Sequence, residues 1–400
     1  MSFFDNLFHK NQFISNDESR ILLLSMREIH DLAAYCLLYE IEDVTYNMDK
    51  VDIIGLANSY DLYFFRKVYY LINSVTRSTI LAKSLTPQLS PFSVEKEYEL
   101  FFPIFNFFSE LFLLQSIKGW RNKCQKAACY ISEVWEHQIY KRKSLLEFLK
   151  DFDHIFLGVR NSTEVITKLT GKPCTYVPPA VDVLKFAPHS LSSHRGIDVC
   201  GIGRRSNITH KALLELAEKR KMFYYYDTMK TSSDVKYGKK QITFRVKNYK
   251  EHRSLLSNIL KRSRYAITNR ANANEPYKTG GKEEFGYRFF EGAASGTVMI
   301  GVPPATKEFT KYFDWEDAVI PIPFDAPNIA ETIAELDAQP ERLARIRKDN
   351  VVNSLLRHDW VYRWQEILET VGVEPTEQLL ERQAKLRKVA DELQQLPIAN

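Results

Sequence analysis

The sequence predicts an α/β fold built from two Rossmann-like domains, with a helix at the C-terminus. Three observations carry that expectation. Short apolar runs of strand character alternate with helical stretches along both halves of the chain. The segment Val177-Pro-Pro-Ala-Val-Asp-Val-Leu-Lys-Phe-Ala-Pro188 breaks regular structure between the halves. Glu283 to Gly301 reads as a loop, a short helix and a strand, which is half of one such α/β unit.

In the first half, Ile21 to Met26 and Val51 to Leu56 are expected as buried strands, with Ala127 to Ser132 and His154 to Val159 after them. Helices are expected at Asp61 to Val75 and Lys143 to Phe152. No glycine-rich phosphate loop follows the first strand, so a dinucleotide fingerprint is absent there. Leu100 to Leu114 (LFFPIFNFFSELFLL) is too short to cross a bilayer and holds Pro103, Asn106 and Glu110. It is expected as a buried or half-buried element. A surface element dipping into a membrane, helped by Lys118, Trp120, Arg121, Lys123 and Lys126, is the alternative.

The second half opens on a strand at Ile197 to Ile202, then a helix at Ala212 to Arg220 and a strand at Phe223 to Tyr226. A helix around Ser254 to Lys261, a strand at Tyr265 to Thr268 and a polar loop, Asn269 to Lys282, lead into Glu283. Gly286 permits backbone conformations closed to other residues. Arg288 to Ser295 is a helix burying Phe289, Phe290, Ala293 and Ala294, Gly296 suits the residue past its end, and Thr297 to Ile300 is a strand. Val319 to Pro323, Ile329 to Leu336 and a terminal helix opening at Arg357 to Trp364 complete the order. The expected domains are therefore residues 1–188 and 196–372, with a polar linker between them. Residues 373–400 form a charged helix with Leu379, Leu386 and Leu393 at heptad spacing, able to dock on the N-terminal domain or to dimerise.

Composition bounds the class. Four hundred residues with 13% aromatics and 15 glycines are enough for full cores and argue against disorder. A formal charge of +5 is too near balance for general nucleic-acid binding, so Lys141 to Lys143, and Lys236 with Lys239 and Lys240, read as solvated faces. Cys36, Cys124, Cys129, Cys174 and Cys200 are odd in number and show no C-x-x-C pair, as reduced thiols of a cytoplasmic protein would be. Met1 to Gln12 lacks the apolar core of a secretory signal.

The pattern Glu283-Glu-Phe-Gly-Tyr-Arg-Phe-Phe-Glu291-Gly-Ala-Ala-Ser-Gly places two carboxylates eight positions apart, at a helix start where a ligand would lie. With the internal Phe285-Gly286 it resembles the E-x7-E signature of retaining nucleotide-sugar glycosyltransferases of the two-domain GT-B type. Two further segments support this. Val177 to Pro188 is similar to the Pro-x-Gly-Val-Asp…Phe-x-Pro stretch before the second domain of that family, with Ala180 in place of the glycine. Gly203-Arg204-Arg205…Lys211 resembles its Val-Gly-Arg…Lys-Gly stretch, without the final glycine. The resemblance covers about residues 175 to 370.

It implies two domains facing a cleft, a nucleotide-sugar donor in the second and a glycan or lipid-linked acceptor on the side of the first. Arg204, with Lys211 or Arg205, would hold the diphosphate, since guanidinium and ammonium both suit phosphate. Gly203 would let the phosphate approach the backbone, Glu291 would accept from the ribose hydroxyls, and Glu283 would lie by the sugar. Transfer would retain configuration and need neither metal nor cofactor. Glu133, His137 and His30 are candidate acceptor bases, and Asp182 a turn-stabilising residue. Three readings compete: a metal-dependent GT-A enzyme using Asp151-Phe-Asp153, a non-catalytic sugar-nucleotide-binding or membrane-assembly protein, and a GT-B epimerase. The expected site of action is the cytoplasm, with peripheral contact at the inner membrane face and homodimerisation left open.

Overall fold

The computed structural model describes residues 12–15, 18–56, 59–86, 92–191, 194–227, 236–237, 240–241 and 245–396. The reading that no signal segment is present falls almost wholly outside them, since it rests on residues 1–12. The chain forms two compact units, residues 1–178 with 363–379, and residues 179–362 with 380–400.

The first unit is built on strands β1 (Gln12–Ile14), β2 (Ile21–Ser25), β3 (Val51–Gly55), β4 (Tyr98–Phe107), β5 (Cys124–Glu133), β6 (His154–Leu157) and β7 (Cys174–Tyr176). Their order across the sheet is β1-β3-β2-β4-β5-β6-β7. All neighbours run parallel except β1, which lies antiparallel on β3. Parallel strands covered on both faces need continuous apolar runs, and every residue of β2 and β3 is buried. The helix α1 (Cys36–Met48) connects β2 to β3, and α2 (Ser59–Thr76) follows β3.

The segment Leu100 to Leu114 is core. It supplies β4 at the middle of the sheet and a following 3-10 stretch, Phe108–Ser116. Phe101, Phe102, Phe105 and Phe108 are buried, and Trp120 packs on Phe101 and Phe152. That burial leaves the segment no apolar face for a membrane, and the alternative of a membrane-dipping element is corrected accordingly. No helix among the described residues is long and apolar enough to cross a membrane.

The second unit has a five-stranded parallel sheet of β8 (Ile197–Gly201), β9 (Tyr224–Tyr226), β10 (Ser263–Ile267), β11 (Val298–Gly301) and β12 (Ile320–Pro321), in the order β9-β8-β10-β11-β12. Val199, Tyr265, Val298 and Ile300 of the strands pack with Leu213, Ile329 and Ile333 from helices. The helix α3 (Asn207–Glu218) begins five residues before its expected start, because Ser206 caps it, accepting from the N–H groups of Ile208 and Thr209. Asn248 caps α4 (Tyr249–Lys261) in the same way. Helix α5 (Arg288–Ala294) closes as expected on Gly296 at φ +62°. The N–H of Thr297 reaches the carbonyl of Gly292, and that of Gly296 the carbonyl of Ala293.

The units part at Pro178/Pro179, some ten residues before the expected polar linker. The reason is local. Val181 N–H donates to His358 O, Val183 N–H to an Asp359 carboxylate oxygen at 2.9 Å, and Arg382 binds both Asp182 and Asp359 at 2.7 Å. Residues 179–187 are thereby fastened to the second unit. The terminal helix α6 (Glu377–Gln395) carries Arg382, and its Leu379, Leu386 and Leu393 are buried within the chain. The leucine stripe is therefore spent inside one molecule and is not an exposed seam for a second copy.

Candidate active site

Both sheets share a topological device. In each, the first parallel strand has its successor on one side and the next strand on the other, so the chain reverses between β2 and β4 and again between β8 and β10. Open α/β sheets bind ligands outside the carboxyl ends of the strands at such a reversal. In the second unit those ends lead into the loops that carry Gly203 to Ser206 and Asn269 to Tyr287.

Gly203 has φ +92°, a conformation that favours glycine, and its N–H donates to Asp227 at 2.8 Å. Arg204 is half exposed. Its guanidinium donates to the amide oxygen of Asn272 and lies 3.7 Å from Glu275, so it bridges the two loops. Arg205 does something else. It is buried, donates to the side chain of Asp227 at 3.0 Å and to its carbonyl at 2.7 Å, and covers the Tyr226 ring. Lys211 projects into solvent on α3, 80% exposed and 4.0 Å from Glu215. Arg205 is thus paired with Asp227, and Lys211 lies on the second turn of α3.

Glu283 is half-buried, accepting the Ala305 N–H at 2.7 Å and lying 3.3 Å from Arg270. Phe285 is buried in a ring cluster with Phe290, Phe309 and Phe313, which fixes the loop to α5. Gly286 is required by space, and its φ is not in the left-handed region. A Cβ there would meet the Asn269 carbonyl oxygen at 2.5 Å.

Glu291 lies in the first turn of α5 with 1% exposure. One of its oxygens accepts from Arg253 on α4 and the other from Arg288 on its own helix. Burial by itself would raise this carboxyl. The charges of Arg288 and Arg253 overcome it and hold the pKa at about 2. A carboxylate has about four lone-pair directions, so two hydrogen bonds leave capacity for a further donor. Arg253, Asn272 and Asp227 were not foreseen from sequence, because no spacing rule links residue 253 to 291 or 204 to 272. The asparagine at position 248, in front of an apolar-periodic run, would have placed the start of α4 and so put Arg253 on a helix.

A pocket of about 490 Å³ opens beside these loops, lined among others by Ser206, Asn274, Glu275, Tyr277, Phe324 and Asp325. Both amide atoms of Asn274 are buried and make no hydrogen bond.

The candidate bases sit at the carboxyl edge of the first sheet. His30 stacks on Tyr35 with Nε2 3.5 Å from Glu110, and burial pushes its imidazole down to about 4. Burial pushes the Glu110 carboxyl up to about 7, although Tyr35 and the N–H groups of Asn106 and Phe107 all donate to it. Glu133 accepts from the Trp135 indole at 2.8 Å, and His137 has a buried Nδ1 without a partner. Asp151 and Asp153 are taken up in ion pairs with Lys83 and Arg121 at 2.7 and 2.8 Å, which leaves the Asp-x-Asp reading without support. No group of three or more metal-ligating side chains occurs among the described residues.

The family model described as "Glycosyl transferase-like" matches residues 211–369. An alpha-glucosyltransferase solved with UDP-glucose and DNA containing an abasic site superposes with a TM-score of 0.53 at 11% identity, covering 88% of this chain and 99% of its own. Anabaena HepE in complex with UDP-glucose superposes with a TM-score of 0.50 at 12% identity, again covering 88% and 99%. No curated protein matches by sequence. The fold is thus GT-B, with two Rossmann-like units. The region matched by the family model lies in the second unit up to residue 362 and runs on to residue 369 in the first.

Proposed function

We propose that this protein is a glycosyltransferase that moves a sugar from a nucleotide-sugar donor held by its second unit. The observation that carries the reading is that Arg204, on the loop after β8, bridges to Asn272 on the loop after β10, which leads through Glu283 into the helix that holds Glu291, within or adjoining the family match at residues 211–369. UDP-glucose in two structures of the same fold supports a UDP-sugar as donor. Arg204 holds the diphosphate, Glu291 accepts from the ribose with the capacity its two arginines leave, and Glu283 lies by the sugar. Charge developing on the leaving diphosphate is stabilised by positive side chains without a metal. Transfer proceeds with retention, and the acceptor is a glycan or lipid-linked glycan.

A thermal-shift screen of nucleotide sugars tests this. A ligand at about 100 times its Kd stabilises the folded state by about 2.7 kcal/mol. The expected result is a raised Tm with UDP and one or more UDP-sugars, followed by release of UDP when an acceptor is present. No shift with any nucleotide sugar counts against the reading. Binding without turnover favours an inert binding protein, and isomerisation without an acceptor favours an epimerase.

A further inference from the structure

The helix α2 is fastened to the first unit through Tyr69. This side chain is fully buried, its hydroxyl donates to the Ser144 carbonyl at 2.8 Å, and its ring packs on Phe112 and Phe148. On the opposite side of the helix Phe64, Leu71 and Val75 stand at i, i+7 and i+11, which is one stripe of an α-helix. They are 59%, 63% and 74% exposed. The helix Thr79–Leu85 packs against α2 and adds Ile80, Leu81 and Leu85, which are 64%, 48% and 60% exposed. Single exposed apolar side chains are ordinary, whereas this many on one helical hairpin mark an interaction surface.

The charge around this surface is of one sign. Residues 62–94 contain Arg66, Lys67, Arg77 and Lys83 and no acid. The bond from Tyr69 to Ser144 also brings the run Lys141-Arg142-Lys143 beside α2, and all three of its side chains are exposed, as is Tyr140 before them. Burial raises the Tyr70 hydroxyl while the charges of Arg142 and Arg66 oppose it, so both cations lie near the same turn of α2. Two acids that follow the run are paired, Glu147 with Lys150 at 2.9 Å and Asp151 with Lys83 at 2.7 Å.

Apolar side chains bordered by lysine and arginine match a membrane surface. The first enter the boundary between headgroups and acyl chains, and the second meet anionic lipids. We infer that the hairpin of α2 and the helix Thr79–Leu85, with Lys141 to Lys143 beside it, docks this protein on an anionic lipid surface. The element is distinct from Leu100 to Leu114, whose phenylalanines are core. It lies on the bilayer and does not cross it, since no helix among the described residues is long and apolar enough to do so. The inference concerns where the protein works, and it does not rest on the donor reading.

The test uses the full chain and two variants, the pair Leu71→Ser with Val75→Ser, and the triple Lys141→Gln, Arg142→Gln and Lys143→Gln. All five side chains are exposed, so both variants should melt as wild type does. Should the serine pair melt lower, Val75→Glu alone, at the most exposed of the apolar positions, is read in its place. Binding is followed by co-sedimentation with vesicles of phosphatidylcholine, and of phosphatidylcholine and phosphatidylglycerol in equal parts. Wild type is expected to bind the mixed vesicles far better than phosphatidylcholine alone, and to be released by salt. The triple variant should lose affinity by on the order of 100-fold, about a factor of five for each charge. The serine pair should lose about tenfold or more. Failure of wild type to bind the mixed vesicles overturns the inference, as does full retention of binding by either variant. So does a wild-type dimer that the serine pair converts to a monomer without any vesicle binding, which assigns the face to a second copy of the chain.

Discussion

The guanidinium of Arg204 donates to the side-chain oxygen of Asn272, tying the loop after β8 to the loop after β10 across the point where the sheet reverses. Asn272 itself sits at φ +51°, a left-handed position that asparagine tolerates better than most residues. The guanidinium is thus held between the two loops. Glu275, 3.7 Å away, is its other neighbour.

Arg204→Ala is expected to weaken UDP and UDP-sugar alike by about 10- to 100-fold, in line with the roughly 1.5–3 kcal/mol of a charged hydrogen bond. Uridine should be nearly unaffected. Calorimetry with the three ligands checks this, and equal losses for all three would mark a role in shaping the loops.

Glu291 is both a proposed ligand and a structural counter-ion. Glu291→Gln leaves Arg253, almost fully buried, without a charged partner, so the variant should melt lower, by up to the ~3–5 kcal/mol of a broken buried pair. The pH dependence has a definite sign. The folded carboxyl titrates at about 2 against 4.5 for the ordinary group. Its stabilisation is present above pH 4.5 and drains away as pH falls from there towards 2. Denaturation curves over that range should be flatter for the variant.

Glu110 has the opposite sign. Its folded pKa is raised to about 7, so the folded state favours the protonated form. Stability on its account is greatest below pH 4.5 and declines as pH rises to 7. Glu110→Gln keeps an oxygen for the N–H groups of Asn106 and Phe107 and removes the charge. It should flatten the stability profile between pH 4.5 and 7, as read by chemical denaturation.

Gly286→Ala should destabilise more than Gly203→Ala. The first places a methyl 2.5 Å from a backbone oxygen, whereas the second meets nothing within 4 Å and costs only the left-handed backbone, about 1–2 kcal/mol. Comparison of melting temperatures decides.

The fold was largely legible because its strands are continuous apolar runs bounded by polar segments. Ile21 to Met26, Val51 to Leu56 and Ile197 to Ile202 all became strands. Leu100 to Leu114 could be recognised as buried but not as a central strand, because Pro103 interrupts the pattern and tertiary context overrides it. Arg204, and Glu283, Gly286 and Glu291, were singled out because each belongs to a local run of sequence. The partners Asn272, Arg253 and Asp227 could not, since they are brought close only by the sheet. The Asp227 partner of Arg205 and the exposure of Lys211 were hidden for a related reason, since a run of charges does not say which of them pairs within the fold.

The most direct test of the central claim is to compare UDP affinity with the rate of UDP release from UDP-glucose in wild type and in Glu283→Gln. Glu283 lies by the proposed sugar position, held by the Ala305 N–H and Arg270, while Arg204 is the proposed diphosphate ligand. The account predicts that UDP binds both proteins within a few-fold, while turnover in the variant falls by roughly 100-fold, the effect of removing one group that stabilises developing charge. A variant that turns over at the wild-type rate, or a wild-type protein that binds no UDP, would contradict it.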